Sequence, residues 1–449
     1  MNTNLETLAR EAAAWMKAQS PETSAELYLS RGEDRTLSRR EGERDGMEAS
    51  ETDGAGVRVA RDGRVGFASA GGADLAAIKE LYALALEQLP HAAPDRRRVF
   101  PGPQSGGEDA SLAATLWDEK LFSAPWADIE ARLLETEAAA KSQPGVAKIL
   151  RCEYGESRGT TVVAGTSGLF ASERGGSASV SLVVAAEDGA EVQLGEGYRA
   201  ERRAEALDFA AAGREAGRRA GSLLGARRAA AGKRAVLFEP WVGGEFLELL
   251  AELLSAEEVQ GGRSLLADKI GRRVASPLVM LRDDPRRHGG LGSCRFDDEG
   301  LPTRDKAMIE AGVLREYFYD TASAARAGVI SNGCAYRGSY KDMPAPGASN
   351  LYLAPGTQTR EALISGTRDG ILVSEVLGMH MVDPVSGAFS VGISGISIEK
   401  GLLARPIKGA MMSGQLLDLL ADVDGVADDL SFEGSLGAPT FRVAALDIA

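Results

Sequence analysis

The chain has 449 residues, with 51 Lys and Arg against 65 Asp and Glu, a formal net charge of −14. It holds three histidines (His91, His288, His380) and three cysteines (Cys152, Cys294, Cys334), spread along most of its length. Zinc needs three or four converging donors, so self-contained histidine-based zinc chemistry is not expected, and three unpatterned cysteines argue for a reducing compartment rather than a disulfide framework. No apolar run reaches the roughly 18 residues that span a bilayer, and the start, with Glu6 and Glu11, does not read as a signal peptide. The acidic balance disfavours nonspecific nucleic-acid binding. Glycine is abundant, at 54 residues, which predicts many tight turns.

Along the chain, residues 4–19 place Leu5, Leu8, Ala12 and Trp15 three to four apart. This spacing predicts an amphipathic helix that Pro21 stops. Residues 25–30 alternate as a strand, and 36–40, 46–51, 56–60 and 65–69 read as short strands cut by glycine. Asp62-Gly63 supplies the positive φ angles of a hairpin turn. Residues 73–89 return to helical spacing. Pro90, Pro94, Pro101 and Pro103, with the Arg96-Arg97-Arg98 run and Gly106-Gly107, mark a linker. A helix is predicted over 127–142, strands over 147–156, 160–164 and 169–186, and one long helix over about 201–230. Next come a strand over 235–238 and a helix over about 242–255. Beyond Val274 the text is mostly short strands and turns, with helices near 320–327, 359–364 and 413–421.

Chemical motifs were weighed against structural readings. Gly225 to Lys233 has six residues between its glycines, not the four of a phosphate loop, and Arg234 replaces the magnesium-binding Ser or Thr. It reads as a helix end before a strand. Ser397 through Lys400 matches Ser-x-x-Lys but lies in alternating strand text, whereas that motif must open a helix. The pairs Asp283-Asp284 and Asp428-Asp429 and the run Asp297-Asp298-Glu299 read as solvated turn formers. Residues 199–234 hold ten basic and four acidic side chains. That stretch could face nucleic acid or an acidic partner, but it reads better as a solvated helix packing Ala204, Leu207 and Ala211 on a sheet.

Three segments together resemble one family. The first includes Gly56-Val-Arg58 and Gly66-Phe67. The second runs from Phe296 through Glu299 to Thr303 and on to Tyr319-Asp320. The third carries Asn332, Gly333, Arg337, Tyr340, Pro344, Pro346 and Asn350. The tail from Leu377 to Gly409 continues the match. The chain resembles the TldD/PmbA family, also called modulators of DNA gyrase. That resemblance implies a cytoplasmic peptidase system built from TldD and TldE (PmbA) subunits. The TldD type carries His-Glu-x-x-x-His on a helix, with a later cysteine, to hold zinc, and its glutamate acts as general base. The TldE type lacks these ligands. The pair encloses a chamber for unfolded or leader peptides.

Counting back from Gly262, the metal helix falls near 247–252. There the histidine positions read Leu247 and Glu252, and Glu248 takes the glutamate position. The resemblance therefore implies no metal and no catalytic residue in this chain, with zinc expected only in a TldD-type partner. Asn332, Gly333, Arg337, Tyr340, Pro344, Pro346 and Asn350 carry no assigned role. The expected fold is α+β. An N-terminal α/β unit covers 1–90, a linker 91–115, a central α/β unit with the long helix 116–232, and a β-rich domain with a strongly curved or barrel-like sheet 233–449. The expected role is a non-catalytic subunit that pairs with the TldD type around an extended peptide, away from membranes and nucleic acid, with a homodimer left open as one assembly of the isolated chain. Two alternatives stay open: an autonomous peptidase with an unrecognised site, and a regulatory binding protein linked to DNA gyrase.

Overall fold

The computed structural model describes residues 4–95, 100–103 and 109–449. The Arg96-Arg97-Arg98 run and Gly106-Gly107 lie outside the described residues.

Helix α1 (Leu5–Gln19) starts where the Asn4 side chain accepts the Glu6 N–H, and it buries Leu5, Leu8, Ala9, Ala12 and Met16. Three long strands follow, β1 (Ser24–Arg40), β2 (Glu43–Arg61) and β3 (Arg64–Gly71), and then α2 (Leu75–Gln88). After α3 (Ala110–Leu116) and α4 (Trp126–Lys141) come β4 (Val146–Gly165), β5 (Phe170–Asp188) and β6 (Glu191–Glu201), and then α5 (Phe209–Ser222). These six strands form one sheet, ordered β3-β2-β1-β4-β5-β6 and antiparallel throughout. β1 pairs with β4 from Glu26 to Arg40, so a single sheet runs through both N-terminal units. Helices α1 and α2 cover one stretch of it, around Leu27, Leu29, Val57 and Val59. Helices α4 and α5 cover another, around Val180, Leu182 and Val184.

Several sequence expectations change here. The short strands expected over 25–30 and 36–40 are one strand of 17 residues, and those over 46–51 and 56–60 are one of 19. Their glycines adopt extended backbone and stay in the ladder. The chain reverses instead at Glu41-Gly42 and Asp62-Gly63, where both residues have positive φ. The second turn is the hairpin expected there. The long helix over 201–230 does not form. Residues 191–201 are strand β6, and α5 starts only after Asp208 caps the Ala211 N–H at 2.8 Å. Its buried face is Phe209, Ala212, Ala216 and Ala220; Leu207, ahead of the helix, is buried in the same core and Ala204 packs against it as expected, while Ala211 is half-buried. The expected linker ends in helix α3, capped by Asp109.

The second half begins with β7 (Gly232–Phe238), α6 (Pro240–Leu253), α7 (Ala256–Gln260), β8 (Leu281–Asp283), β9 (Lys306–Glu310) and β10 (Val313–Leu314). Next are α8 (Thr321–Ala327), β11 (Ala335–Tyr336), β12 (Ala345–Pro346), β13 (Leu351–Leu353), α9 (Arg360–Ser365) and β14 (Asp369–Leu377). The chain ends with β15 (Ala388–Glu399), β16 (Leu402–Gln415), α10 (Leu416–Ala421), β17 (Val423–Val426), β18 (Ser431–Glu433), β19 (Leu436–Ala438) and β20 (Phe441–Ile448). Strands β16-β15-β14-β7-β20 form a curved sheet, and a β16–β20 pairing through Met412 and Ile448 closes it into a five-stranded barrel. This is the barrel-like, β-rich C-terminal half expected of an α+β fold. A second, mixed sheet runs β10-β9-β8-β13-β19-β18. Helix α6 lies between the barrel and this sheet. Phe238 of β7 anchors the junction, its ring 5.1 Å from Phe246 of α6 and 4.9 Å from Phe441 of β20.

Candidate functional site

Helix α6 is the first place to look for chemistry. Pro240 opens it with the fixed φ a first turn needs. Val242, Phe246, Leu247, Leu250 and Leu253 recur at helical spacing and are buried. Leu249 is half-buried, and Leu247 lies in the core. Glu248 and Glu252 are exposed, one turn apart on the solvent face. Five residues advance an α-helix by about 500°, so positions 247 and 252 point about 140° apart. Leu247 accordingly faces the core while Glu252 faces water. Glu245, one turn before Leu249, has its carboxyl pushed up to about 7 by burial, then by Glu248 and Glu375.

These residues do not fit zinc. Leu247 has no donor atom, and two carboxylates on one helical face fall short of three or four converging ligands. Among the described residues no group of three His, Cys, Asp or Glu could hold a metal ion. His288 and His380 are exposed. The three cysteines are free, with Cys152 and Cys334 buried. Burial pushes the Cys152 thiol up to about 12, which leaves it an inert thiol. Ser397 lies on β15 and exchanges hydrogen bonds with the Arg405 backbone, as its strand text predicted.

The second concentration of functional groups is where the N-terminal sheet meets the C-terminal half. Here the run Asp297-Asp298-Glu299, expected to be solvated, is buried. Asp297 is 3 % and Glu299 1 % exposed. The turn itself forms, with Asp297 accepting the N–H groups of Glu299, Leu301 and Ala335. Its charge is held by partners that short-range reading could not supply. Arg58 of β2 bonds Glu26 of β1 at 3.0 and 2.6 Å and Glu299 at 3.0 Å. Arg337 bonds Glu26 at 2.5 Å and lies 4.7 Å over the Tyr28 ring. Burial pushes the Asp298 carboxyl up to about 6, against the pull of the Arg337 N–H and guanidinium. Asp283, also expected in solvent, is fully buried and paired with Lys306 at 3.0 Å. Asp428 is exposed as expected, while Asp429 is half-buried and accepts the Thr440 N–H at 2.8 Å and the Thr440 hydroxyl at 2.7 Å.

Of the other family-motif positions, Tyr340 and Pro344 lie at the same junction, and the rest tie loops within the C-terminal half. Tyr340 lies over β2, and a Cβ at Gly54 would collide with its ring. Asn332 ties two loops, accepting the Tyr319 N–H at 2.9 Å and donating to the Tyr317 carbonyl at 2.8 Å. Gly333 follows in a left-handed turn. Pro346 pairs with Ala335 between β12 and β11, and Pro344 lines a small cavity with Arg58 and Glu299. Asn350 is fully buried, donating to the Asp284 carbonyl at 2.7 Å and Ser293 Oγ at 2.9 Å and accepting the Gly292 N–H at 2.9 Å. The structure thus gathers Arg337, Tyr340 and Pro344 at one junction and leaves Leu247, Glu248 and Glu252 on another element. Sequence reasoning missed Glu26, Arg58 and Glu299 as partners. Glu26 and Arg58 alternate with the core residues Leu27, Leu29, Val57 and Val59, so alternation assigns them to the opposite, open face, and Glu299 lies in a turn; no local signal marked them.

Comparisons with known proteins point one way. Models of the PmbA/TldA metallopeptidases match as domain 1 over residues 25–89, as the central domain over 119–224 and as the C-terminal domain over 231–449. A metalloprotease of Methanocaldococcus jannaschii is 34% identical over 227 residues, 50% of this chain and 49% of that protein. A TldD homologue of Haemophilus influenzae is 32% identical over 203 residues, 45% of this chain and 42% of that protein. The match therefore spans about half the length of these relatives or less. The metalloprotease PmbA of Escherichia coli O157:H7 is 24% identical over 438 residues, 95% of this chain and 93% of that protein. Among solved structures, a Thermotoga maritima protein described as a DNA gyrase modulator superposes with a TM-score of 0.90 at 24% identity, covering 99% of this chain and 100% of that one. TldE from Thermococcus kodakarensis gives 0.87 at 22%, covering 99% of each. These two likenesses concern the fold. Three consecutive domain models and a colinear relative along nearly the whole length lead to one conclusion: the chain belongs to the TldD/PmbA family of metalloprotease homologues.

Proposed function

We propose that this chain is the TldE/PmbA-type, non-catalytic subunit of a TldD/TldE-type zinc peptidase. The observation that carries the reading is helix α6. At the register of the family's metal helix it presents a buried Leu247 and two exposed carboxylates, Glu248 and Glu252, instead of histidines. The full-length match to a PmbA and the fold likeness to a TldE support it. On this reading a TldD-type partner brings the zinc, and the two chains enclose an unfolded or leader peptide. The peptide's main chain would add to an open sheet edge, which gives sequence-tolerant affinity. The free cysteines fit work in a reducing cytoplasm.

A second reading, an autonomous peptidase, draws on the name metalloprotease carried by the relatives. Metal analysis and a peptidase assay on unfolded peptides, with and without a TldD-type partner, separate the two. The expected result is no stoichiometric zinc and no cleavage by the lone chain, with cleavage appearing in the mixture. Chelator-sensitive proteolysis by the lone chain would overturn the subunit reading.

A further inference from the structure

The arginine-rich stretch that begins at residue 199 does not form a basic outer face. Arg199 of β6 and Arg218 and Arg219 of α5 converge with Arg360 of α9 around one cavity of about 140 Å³, room for about four or five waters. Pro240 and Trp241, the first turn of α6, line it as well, as do Phe432 and Glu433 of β18.

The carboxylates present do not exhaust these cations. Arg360 bonds Glu239 at 2.6 Å, but Arg218 stands 3.4 Å from both Glu239 oxygens. Arg219 bonds Glu215 at 2.6 Å and is 3.9 Å from Glu433. Arg199 also bonds Glu215. Arg219 also donates to the Glu196 carbonyl at 3.0 Å and Arg199 to the Tyr198 carbonyl at 2.6 Å; four guanidinium groups carry about twenty N–H donors, and three carboxylates with these two carbonyls offer about sixteen lone-pair sites. The surplus has a visible mark: the Arg219 Nε is buried with no hydrogen-bond partner. The Arg219 guanidinium is held 4.5 Å over the Trp241 ring, so it cannot swing out to water without losing that contact. No side chain caps the first turn of α6, and the positive end of its dipole adds to the same field. Burial pushes Glu433 up to about 7. Near neutrality it can carry a proton and donate to an incoming anion.

We propose that this cavity is an oxyanion site that takes a carboxylate, supplied by the C-terminus of a peptide. The planar fork of a guanidinium matches a carboxylate bidentately, and Arg218 and Arg360 are exposed enough to receive one. The peptide as source rests on the peptidase-subunit reading; the oxyanion chemistry does not. The test is calorimetric titration of the full chain, alone and without zinc, with acetyl-trialanine as free acid, the same peptide as C-terminal amide, acetate and inorganic phosphate. The free acid is expected to bind at least tenfold more tightly than the amide or acetate. Arg218→Gln and Arg360→Gln are each expected to weaken it at least tenfold. Thermal unfolding identifies a misfolded variant, and the other variant is then read. Equal binding of acid and amide, no binding of the acid, or affinity unchanged in the folded variants would overturn the site. Phosphate binding alone would overturn the carboxylate assignment, and acetate binding as tightly as the peptide acid would overturn the peptide source. Because binding is read on the lone chain, failure of the pairing with a TldD-type partner is a separate result.

Discussion

Arg58→Met is the sharpest test of the junction between the N-terminal sheet and the C-terminal half. The Arg58 side chain is 6 % exposed, and its two partners, Glu26 and Glu299, are 1 % exposed each. Methionine keeps much of the stem's volume and removes the charge. Glu26 then retains Arg337 at 2.5 Å, but Glu299 retains only the Thr321 N–H at 2.8 Å. Removing one partner of a buried ion pair costs about 3–5 kcal/mol, a large share of a typical stability of about 5–15 kcal/mol. The pH dependence has a definite sign. Burial already raises the Glu299 carboxyl, and Arg58 is the main group pulling it down. Without Arg58 its folded-state value rises further above the unfolded one. The fold then binds protons more tightly than the unfolded chain, so stability is present at acid pH and lost as pH rises through the folded value. Urea unfolding at pH 5 and pH 7.5 should show the larger deficit at pH 7.5. Adding Glu299→Gln should recover part of it, because no unpaired charge remains at that position. A deficit below about 1 kcal/mol, or one equal at both pH values, would refute the account.

Four further outcomes are expected. Asp298 is raised by burial from 3.8 to about 6, so the native protein should lose about 2 kcal/mol through this group between pH 4 and pH 7; Asp298→Asn should flatten that slope in the same urea experiment. Tyr340→Ala should destabilise by about 3–5 kcal/mol, and Gly54→Ala, harmful alone because its Cβ meets the Tyr340 ring, should become nearly neutral in the Tyr340→Ala background, as a double-mutant cycle would show. Glu248→Gln with Glu252→Gln should change stability by less than about 0.5 kcal/mol, measured by thermal unfolding. Leu247→His with Glu252→His should bind no stoichiometric zinc in equilibrium dialysis, because two imidazoles alone fall short of the three or four converging ligands zinc needs.

What was legible in the sequence follows the range of the forces involved. Helices α1, α2, α4 and α6 were readable because their apolar spacing and caps are local. The barrel-like character of the second half was readable from dense short strands and turns, though not its closure through Met412 and Ile448, 36 positions apart. The long strands were misread because glycine was taken as an interruption, and in an antiparallel ladder extended glycine continues the pairing. Strand β6 was lost to the alanine-rich text after it, although Val192 and Leu194 alternate behind the Asp188-Gly189 turn. The solvated reading of Asp297-Asp298-Glu299 failed for a different reason. Adjacent carboxylates are stable in the interior only beside cations. Their cation, Arg58, is about 240 residues away, and no local window contains it.

The two concentrations of function-bearing residues also explain how a family fold can keep its form while its chemistry changes. The stability of α6 comes from Phe246, Leu247, Leu250 and Leu253 on one face, packed between the barrel and the mixed sheet. Its solvent face, with Glu248 and Glu252, contributes little to that packing. Side chains on such a face can change with little folding penalty, whereas Leu247, at the other histidine position, belongs to the packed face. The junction is the opposite case. Glu26, Arg58, Glu299 and Arg337 are buried together in one ion-pair network, so removing any one of them leaves a buried partner short of its counter-charge. None can change alone. Residues from β1, β2 and the loops around Glu299 and Arg337 are thus held together by stability. Of the segments by which this chain resembles its family, those carrying Arg58, Glu299 and Arg337 meet in this network, whereas the solvent face of α6 is under no such constraint.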